Sequence, residues 1–417
     1  MRKVIMLIVG GAMLIFLSLS TLVLAQEQIT LRIVTHIFEP VNELNREVIK
    51  KYMSQHPNVR IEYMTVPFAQ FRITLLTSFA GGTAPDIMHP DYPWISEFAS
   101  KRLLDPAPPD VQRDVKENLI PIAESTASYE DIIYGYYPKA GTQMLFYNVD
   151  LVKEAGLDPD PSAMGVTWEE FVPIAKALTK TDAAGNVTQA GIVFRKGYEL
   201  TSNFANFLWS NKGEFFTEDF KKVRVNESAG IEALQYMYDL YWKHKVGDPQ
   251  FLEFFEAFTT AKAATTMFFS AGIARFKRAN PDLNFHVALS PIGRGKPAAI
   301  VGAFVWTVAS TSRYKETAWD FVKFRNNEEY MLKEALVTHF IPTRKSLWEL
   351  PEIVNDKYFP QLAHVVEYAR RRPGTVHWGE VREIIGRYLD RVIITNKLTP
   401  KDALDRAAKE VQALMER

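Results

Sequence analysis

The sequence predicts an α/β protein whose first unit is built on a parallel sheet. Two observations carry this. Ile29, Leu31 and Ile33 alternate with Thr30 and Arg32, and Val59, Ile61 and Tyr63 alternate with Arg60 and Glu62, the period of a half-buried strand. Between them Val41, Leu44, Val48 and Tyr52 recur at helical spacing up to Pro57-Asn58. Strand, helix, strand in that order is a βαβ unit, which requires a parallel pair.

Further elements follow in order. Phe68, Phe71, Leu75 and Phe79 form a helical face that Gly81-Gly82 stops. Residues 86–88 make a short apolar strand, and helical spacing resumes at Trp94, Ile95 and Phe98. Residues 132–137 read as a turn entering a strand, 144–147 as a strand, and 151–156 as a short helix closed by glycine. Thr167, with Glu170 three residues on, makes a capping box. Residues 182–186 form a polar turn before a strand at 191–194; the turn lacks the full ligand series of a calcium loop. Ile231, Leu234, Met237, Tyr238 and Tyr241 mark a long amphipathic helix. Residues 285–289 and 304–309 read as strands, and Thr399-Pro400 opens a C-terminal helix. The three consecutive arginines 370–372 read as a solvated helix C-terminus before Pro373-Gly374.

Composition excludes several classes. The 417 residues hold 49 Lys+Arg against 49 Asp+Glu, so there is no basic excess for nucleic acid or an anionic membrane. The chain has no cysteine, which excludes disulfides, thiolate metal sites and lipid attachment through cysteine. Arg2 and Lys3, an apolar run over 4–24 and the ending Val23-Leu24-Ala25 describe a secretory signal peptide over residues 1–25, although the run is also long enough for an anchor. Its removal leaves 47 basic against 49 acidic residues, a net charge of −2. His-Glu-x-x-His, Gly-x-Ser-x-Gly, Gly-x-Gly-x-x-Gly and phosphate-loop signatures are all missing. No cofactor and no metal site are expected, and binding is favoured over turnover.

Several phrases resemble one family: Tyr52-Met53-Ser54-Gln55-His56-Pro57-Asn58-Val59, Phe79-Ala80-Gly81-Gly82-Thr83-Ala84-Pro85-Asp86-Ile87, Phe146-Tyr147-Asn148-Val149-Asp150-Leu151, Ala279-Asn280-Pro281-Asp282-Leu283 and Lys397-Leu398-Thr399-Pro400-Lys401-Asp402-Ala403-Leu404. Together, in this order, they resemble the extracellular solute-binding proteins of ATP-driven importers, in the sugar-binding group to which maltose-binding proteins belong. The resemblance implies two α/β lobes joined by a hinge, with a ligand in the central cleft. On that pattern, residues 26–139 and 296–343 form the first lobe and 140–295 and 344–417 the second, with crossings near 139–141, 295–297 and 342–344. It further implies a sugar ligand, permease partners in the membrane, a monomer, and a periplasmic protein without a lipid tether. A binder of a polyamine, an oligopeptide or a polyol phosphate, or a secreted carbohydrate-active enzyme, would be the alternatives.

A sugar cleft needs aromatic floors for C–H faces and planar polar groups for hydroxyls. Ligands of open parallel sheets bind beyond the carboxyl ends of the strands, which brings His36 and Glu39 together with the loop Asp91-Tyr92-Pro93-Trp94. Trp94 serves equally well as a core residue of its helix, and Gln70 as a helix cap. The resemblance adds Thr142 and Gln143 after the first crossing, Trp209 in a turn at 209–213, Phe269, Phe304, Arg344 and Trp378. Trp209 fits core packing as well as a platform, and Arg344 fits a hinge salt bridge as well as a cleft donor. Relatives often carry Gly-Pro-Trp where this chain has Phe269-Ser270-Ala271-Gly272. The missing tryptophan leaves Phe268 or Phe269 to supply that floor, or marks a different ligand.

Overall fold

The computed structural model describes residues 27–251, 253–302 and 304–416; the expected signal peptide lies outside them. The first sheet has four strands in the order Thr307–Val308, Ile87–Met88, Ile29–His36, Val59–Val66. Ile29–His36 runs parallel to Val59–Val66, in register from Ile29 opposite Val59 to His36 opposite Val66, and parallel to Ile87–Met88. The predicted βαβ unit is therefore present, with helix Glu39–Gln55 as its crossover. That helix buries Val41, Leu44, Val48 and Tyr52, the face read from spacing. Thr307–Val308 joins antiparallel to Ile87–Met88. The strand read over 304–309 is only these two residues long, flanked by single bridges from Phe304 to Asp91 and from Trp306 to Tyr136.

The second sheet has eight strands around Lys139–Asn148, a ten-residue strand buried at every position. Burial on both faces explains why its second half, residues 144–147, reads as an apolar run in place of an alternation. It begins five residues earlier than 144, because Lys139 to Gln143 are polar or small residues held inside by tertiary contacts. One edge of this strand meets three partners in turn: Ile341–Pro342 opposite Lys139 and Ala140, Ala299–Gly302 opposite Gly141 and Thr142, and Phe285–Ala288 opposite residues 145–148. Its other edge pairs with Ala263–Phe269, which in turn runs parallel to Val187–Val193. Ala299–Gly302 also pairs with Ala369–Arg370.

Between Gly302 and Phe304 the chain leaves the second sheet for the first. Within strand Lys139–Asn148 a close contact constrains side-chain size. A Cβ on Gly141 would stand 2.4 Å from the Phe340 ring and 2.6 Å from the Gly302 carbonyl, so only glycine fits there.

Local signals behave as their chemistry requires. Thr167 and Glu170 form the reciprocal capping box at helix Trp168–Ala177. Thr399 caps Pro400–Met415 through the Asp402 amide. Gly82 takes φ +66° beyond helix Phe68–Ala80. The arginines 370–372 depart from expectation. No helix ends there; Arg370 lies in a strand, and Arg372 is buried. The charge pattern of a solvated cap was present without its helix, and the cation is held inside by a carboxylate.

Candidate functional site

A cleft lies where loops of the first sheet face elements of the second. It encloses about 240 Å³. From the first sheet's side come His36 and Ile37 at the end of strand Ile29–His36, Phe38, Phe68 at the start of helix Phe68–Ala80, Asp91 after Ile87–Met88, and Phe304. From the other side come Phe268 and Phe269 at the end of Ala263–Phe269, together with Arg195, Glu199, Arg275, Arg372 and Arg382.

The first wall is aromatic. The rings of His36 and Phe304 stack with centroids 3.8 Å apart, and Phe68 stands edge-on to Phe304 at 5.9 Å. Burial, reinforced by the Lys139 charge, holds the His36 imidazole down to about 3. At neutral pH this wall therefore carries no histidine charge.

The second wall is cationic. Arg372 Nη1 donates to Asp91 Oδ2 at 2.7 Å, and both side chains are about 95% buried. This pair ties the loop after Ile87–Met88 to the segment after Ala369–Arg370, across the cleft. The Arg372 backbone amide donates to the Tyr92 hydroxyl, and the guanidinium lies 5.1 Å from the Tyr92 ring. Close backbone approach is a condition of this arrangement: a Cβ at Gly302 would come within 2.5 Å of Arg372 Nη2. Arg195 Nη1 donates to Glu199 Oε2 at 2.9 Å. Burial pushes the Glu199 carboxyl up, but Arg195, Arg382 and Arg372 together outweigh it and hold it below its ordinary value.

Of the residues expected from sequence, His36, Asp91, Phe269 and Phe304 line this cleft. Trp94 and Trp378 line an adjoining hollow that shares Phe68, Asp91, Arg372 and Arg382. Trp94 stacks on Phe68 at 5.8 Å, and Trp378 sits edge-on to Phe215 at the start of helix Trp378–Ile393.

The others lie elsewhere. Tyr92 is buried behind Asp91, against Tyr137. Thr142 and Gln143 are wholly buried within strand Lys139–Asn148 and do not line the cleft. Gln70 is exposed on its helix, and Glu39 pairs with Arg46 at 3.1 Å near the surface. Trp209 belongs to helix Leu200–Ser210, where Phe215 and Arg370 pack against it. Arg344 is the salt-bridge partner and not a cleft donor: both its Nη atoms bind the Asp114 carboxylate, at 3.1 and 2.7 Å.

Sequence reasoning missed Arg195, Glu199, Arg275 and Arg382 and misread Arg372. No motif marks them: Arg195 and Glu199 sit four residues apart in one irregular stretch, and Arg275 and Arg382 lie on two distant helices. Gly272, noted for standing where relatives carry tryptophan, has a physical reason. Its Cβ would lie 2.8 to 3.0 Å from Phe268, Phe146 and Phe276. These rings already fill the space, and Phe268 and Phe269 occupy the cleft wall instead.

The comparisons agree with this architecture. The family model for bacterial extracellular solute-binding proteins matches residues 40–331. The arabinooligosaccharide-binding protein of Bacillus subtilis is 24% identical over 397 residues, covering 88% of both chains. The maltotriose-binding protein of Pyrococcus abyssi is 24% identical over 357 residues, covering 84% of this chain and 74% of its own. In fold, the chain superposes with a TM-score of 0.80 on an ABC transporter solute-binding protein from Thermotoga lettingae bound with alpha-D-tagatose. That protein is 24% identical, with 93% of this chain and 100% of the other covered. The GacH receptor of Streptomyces glaucescens gives 0.82 at 20% identity, covering 94% and 99%. With the family match spanning most of its length, this chain belongs to the bacterial extracellular solute-binding proteins.

Proposed function

We propose that this protein is the receptor of an ABC-type sugar importer, capturing a mono- or oligosaccharide between two closing lobes and delivering it to permease subunits in the membrane. The observation that carries the reading is the cleft itself. Aromatic rings from one sheet face polar and charged side chains from the other, which suits the C–H faces and hydroxyl rim of a sugar. The sugar-binding relatives support the same class of ligand.

The lobes would be hinged where the chain passes between sheets, near 139–141, 302–304 and 342–344. A second crossing beyond the expected 295–297 is supported by the pairing of Ala299–Gly302 with Lys139–Asn148. A ligand that touches both walls favours the closed arrangement and shifts the population toward it. The protein works as a monomer in the periplasm after release from residues 1–25, and the absence of cysteine supports a free receptor over a lipid-tethered one. It binds without turnover. A polyamine fits poorly, since it would meet the guanidiniums of Arg195, Arg275, Arg372 and Arg382.

A thermal-shift panel of mono- and oligosaccharides tests the reading, because a ligand of the folded state raises apparent stability. At least one carbohydrate should raise the melting temperature and be recovered intact after incubation. Release of cleavage products would instead establish the enzyme, and no shift with any carbohydrate would refute the sugar assignment.

A further inference from the structure

We infer that the cleft selects a saccharide bearing an oxyanion, a sugar carboxylate or a sugar phosphate, held by Arg275 and Arg382. This rests on the sugar-receptor reading and specifies its ligand.

The charge balance of the lining is the starting point. Four guanidiniums face two carboxylates there, in a chain that is neutral overall. Both carboxylates are taken: Asp91 by Arg372 at 2.7 Å and Glu199 by Arg195 at 2.9 Å. Arg275, on helix Gly272–Ala279, and Arg382, on helix Trp378–Ile393, make no ion pair and no side-chain hydrogen bond among the described residues. Both would thus present their donors to a ligand.

Aromatic rings lie near both. The Arg382 guanidinium lies 4.2 Å from the Tyr198 ring centre, and that of Arg275 lies 5.1 Å from Phe255 and 5.4 Å from Phe268. The N–H groups of a guanidinium form a planar fork that matches a carboxylate or phosphate. Desolvation is the main cause that holds both groups below the ordinary arginine value; at Arg275 the repulsion of Arg195 acts against the attraction of Glu253 and Glu199, and at Arg382 the attraction of Glu199 exceeds the repulsion of Arg372. An anion beside either guanidinium offsets the desolvation cost, and a neutral hydroxyl does not.

Acceptors point the same way. A neutral sugar is usually held by side chains that accept from its hydroxyls as well as donate to them. Guanidiniums only donate. The unpartnered buried groups on the lining include Asp91 Oδ1, an acceptor that stands ready for one hydroxyl, and Nδ1 of the neutral His36. The opposite wall, with Phe38, Phe68, Phe304 and an uncharged His36, supplies apolar floor and no cation. The arrangement therefore divides the ligand: ring faces against the aromatics, acid group among the arginines.

Calorimetric titration of the purified exported protein tests this. The probes are galacturonate, glucuronate and a galacturonate dimer; glucose 6-phosphate; the neutral sugars galactose, glucose, maltose and an arabinose oligomer; and acetate and inorganic phosphate as bare anions. An acidic saccharide should bind at least tenfold more tightly than its neutral counterpart, with affinity falling as salt rises. Uronates or the sugar phosphate, whichever responds, identify the source of the oxyanion. Arg382→Gln and, independently, Arg275→Gln should each cut the acidic-to-neutral preference about tenfold; Arg275 is exposed, so at least that variant should fold. Equal binding of neutral and acidic sugars would overturn the inference and leave the sugar receptor standing. Bare anions that bind as tightly as acidic sugars would overturn it as well. If no carbohydrate of either kind binds, the sugar-receptor reading itself falls.

Discussion

Replacing Glu334 by glutamine is a sensitive test of how the hinge region is held together. Glu334 lies in helix Glu328–Thr338, is 1% exposed, and binds both the Lys139 ammonium and Arg325 Nη2, the latter at 3.0 Å. Lys139 begins the central strand of the second sheet under Phe340 and Phe38, two residues of the cleft wall. Arg325 is also fully buried and donates to Asn45 Oδ1 at 2.7 Å. Burial already lowers the Lys139 value, and Glu334 opposes that shift. Glutamine preserves shape but leaves two buried cations with no counter-charge. Arg325 cannot lose its proton, so Lys139 must.

Holding a lysine neutral at pH 7 costs about 1.4 kcal/mol for each unit below its ordinary value near 10.4, or about 5 kcal/mol. This agrees with the roughly 3–5 kcal/mol typical when one partner of a buried ion pair is removed. For a chain of this size it corresponds to a melting temperature lower by about 5 °C. The sign of the pH dependence follows from linkage. The unfolded lysine keeps its proton below about pH 10 and the folded one does not, so the variant gains stability as pH rises, and its deficit shrinks to about 2 kcal/mol at pH 9. Lys139→Met leaves the neutral Arg325–Glu334 pair and should cost about 1–2 kcal/mol with no such pH dependence. Urea unfolding at pH 7, 8 and 9 measures all of this. A Glu334→Gln deficit below about 1 kcal/mol, or one that is the same at pH 7 and 9, would refute the reasoning.

Other outcomes follow from the same physics. His36 is neutral in the fold down to about pH 3, while the unfolded chain takes up its proton near pH 6.5; stability should therefore fall by about 2 kcal/mol between pH 6.5 and 5. Denaturant midpoints at pH 7.5 and 5 should show His36→Phe losing less than the parent, and an unchanged acid loss would count against the burial argument. Gly302→Ala places a methyl against Arg372 and should cost about 1–3 kcal/mol by overpacking, with ligand affinity reduced in the same titration; an unaffected variant would mean that Arg372 moves freely. Thr167→Ala should cost about 1 kcal/mol in thermal unfolding through loss of the cap, and no change would show that Glu170 alone holds that helix start.

Much of the fold was legible because it is written locally. Period-2 alternation at 29–33 and 59–63, the helical face from Val41 to Tyr52, and the caps at Thr167 and Thr399 depend on neighbours a few residues apart. Such patterns reflect which side faces water, and a short window contains them. The cleft's first wall was partly legible for a related reason: strand ends of a parallel sheet share an edge, so His36 and Asp91 come together once the βαβ unit is recognised. Trp209 and Gln143 show where this stops. Each has the right chemistry for a sugar and sits on the right element, but neither chemistry nor element says that its side chain turns inward.

By itself the sequence determined the α/β class, the parallel first sheet, the absence of thiol chemistry, and the family to which the chain belongs, all of which rest on local pattern or on the order of short phrases. Tertiary structure alone decided the electrostatics of the cleft. Arg195, Arg275, Arg372 and Arg382 are spread over nearly 190 positions, on two helices and two irregular segments, and in a chain of zero net charge nothing in one dimension separates them from the other arginines. Coulomb interactions act through space between groups that folding brings within a few ångströms. A run of three arginines that looked like a solvated helix end thus became, through one buried carboxylate at Asp91, part of the wall that meets the ligand.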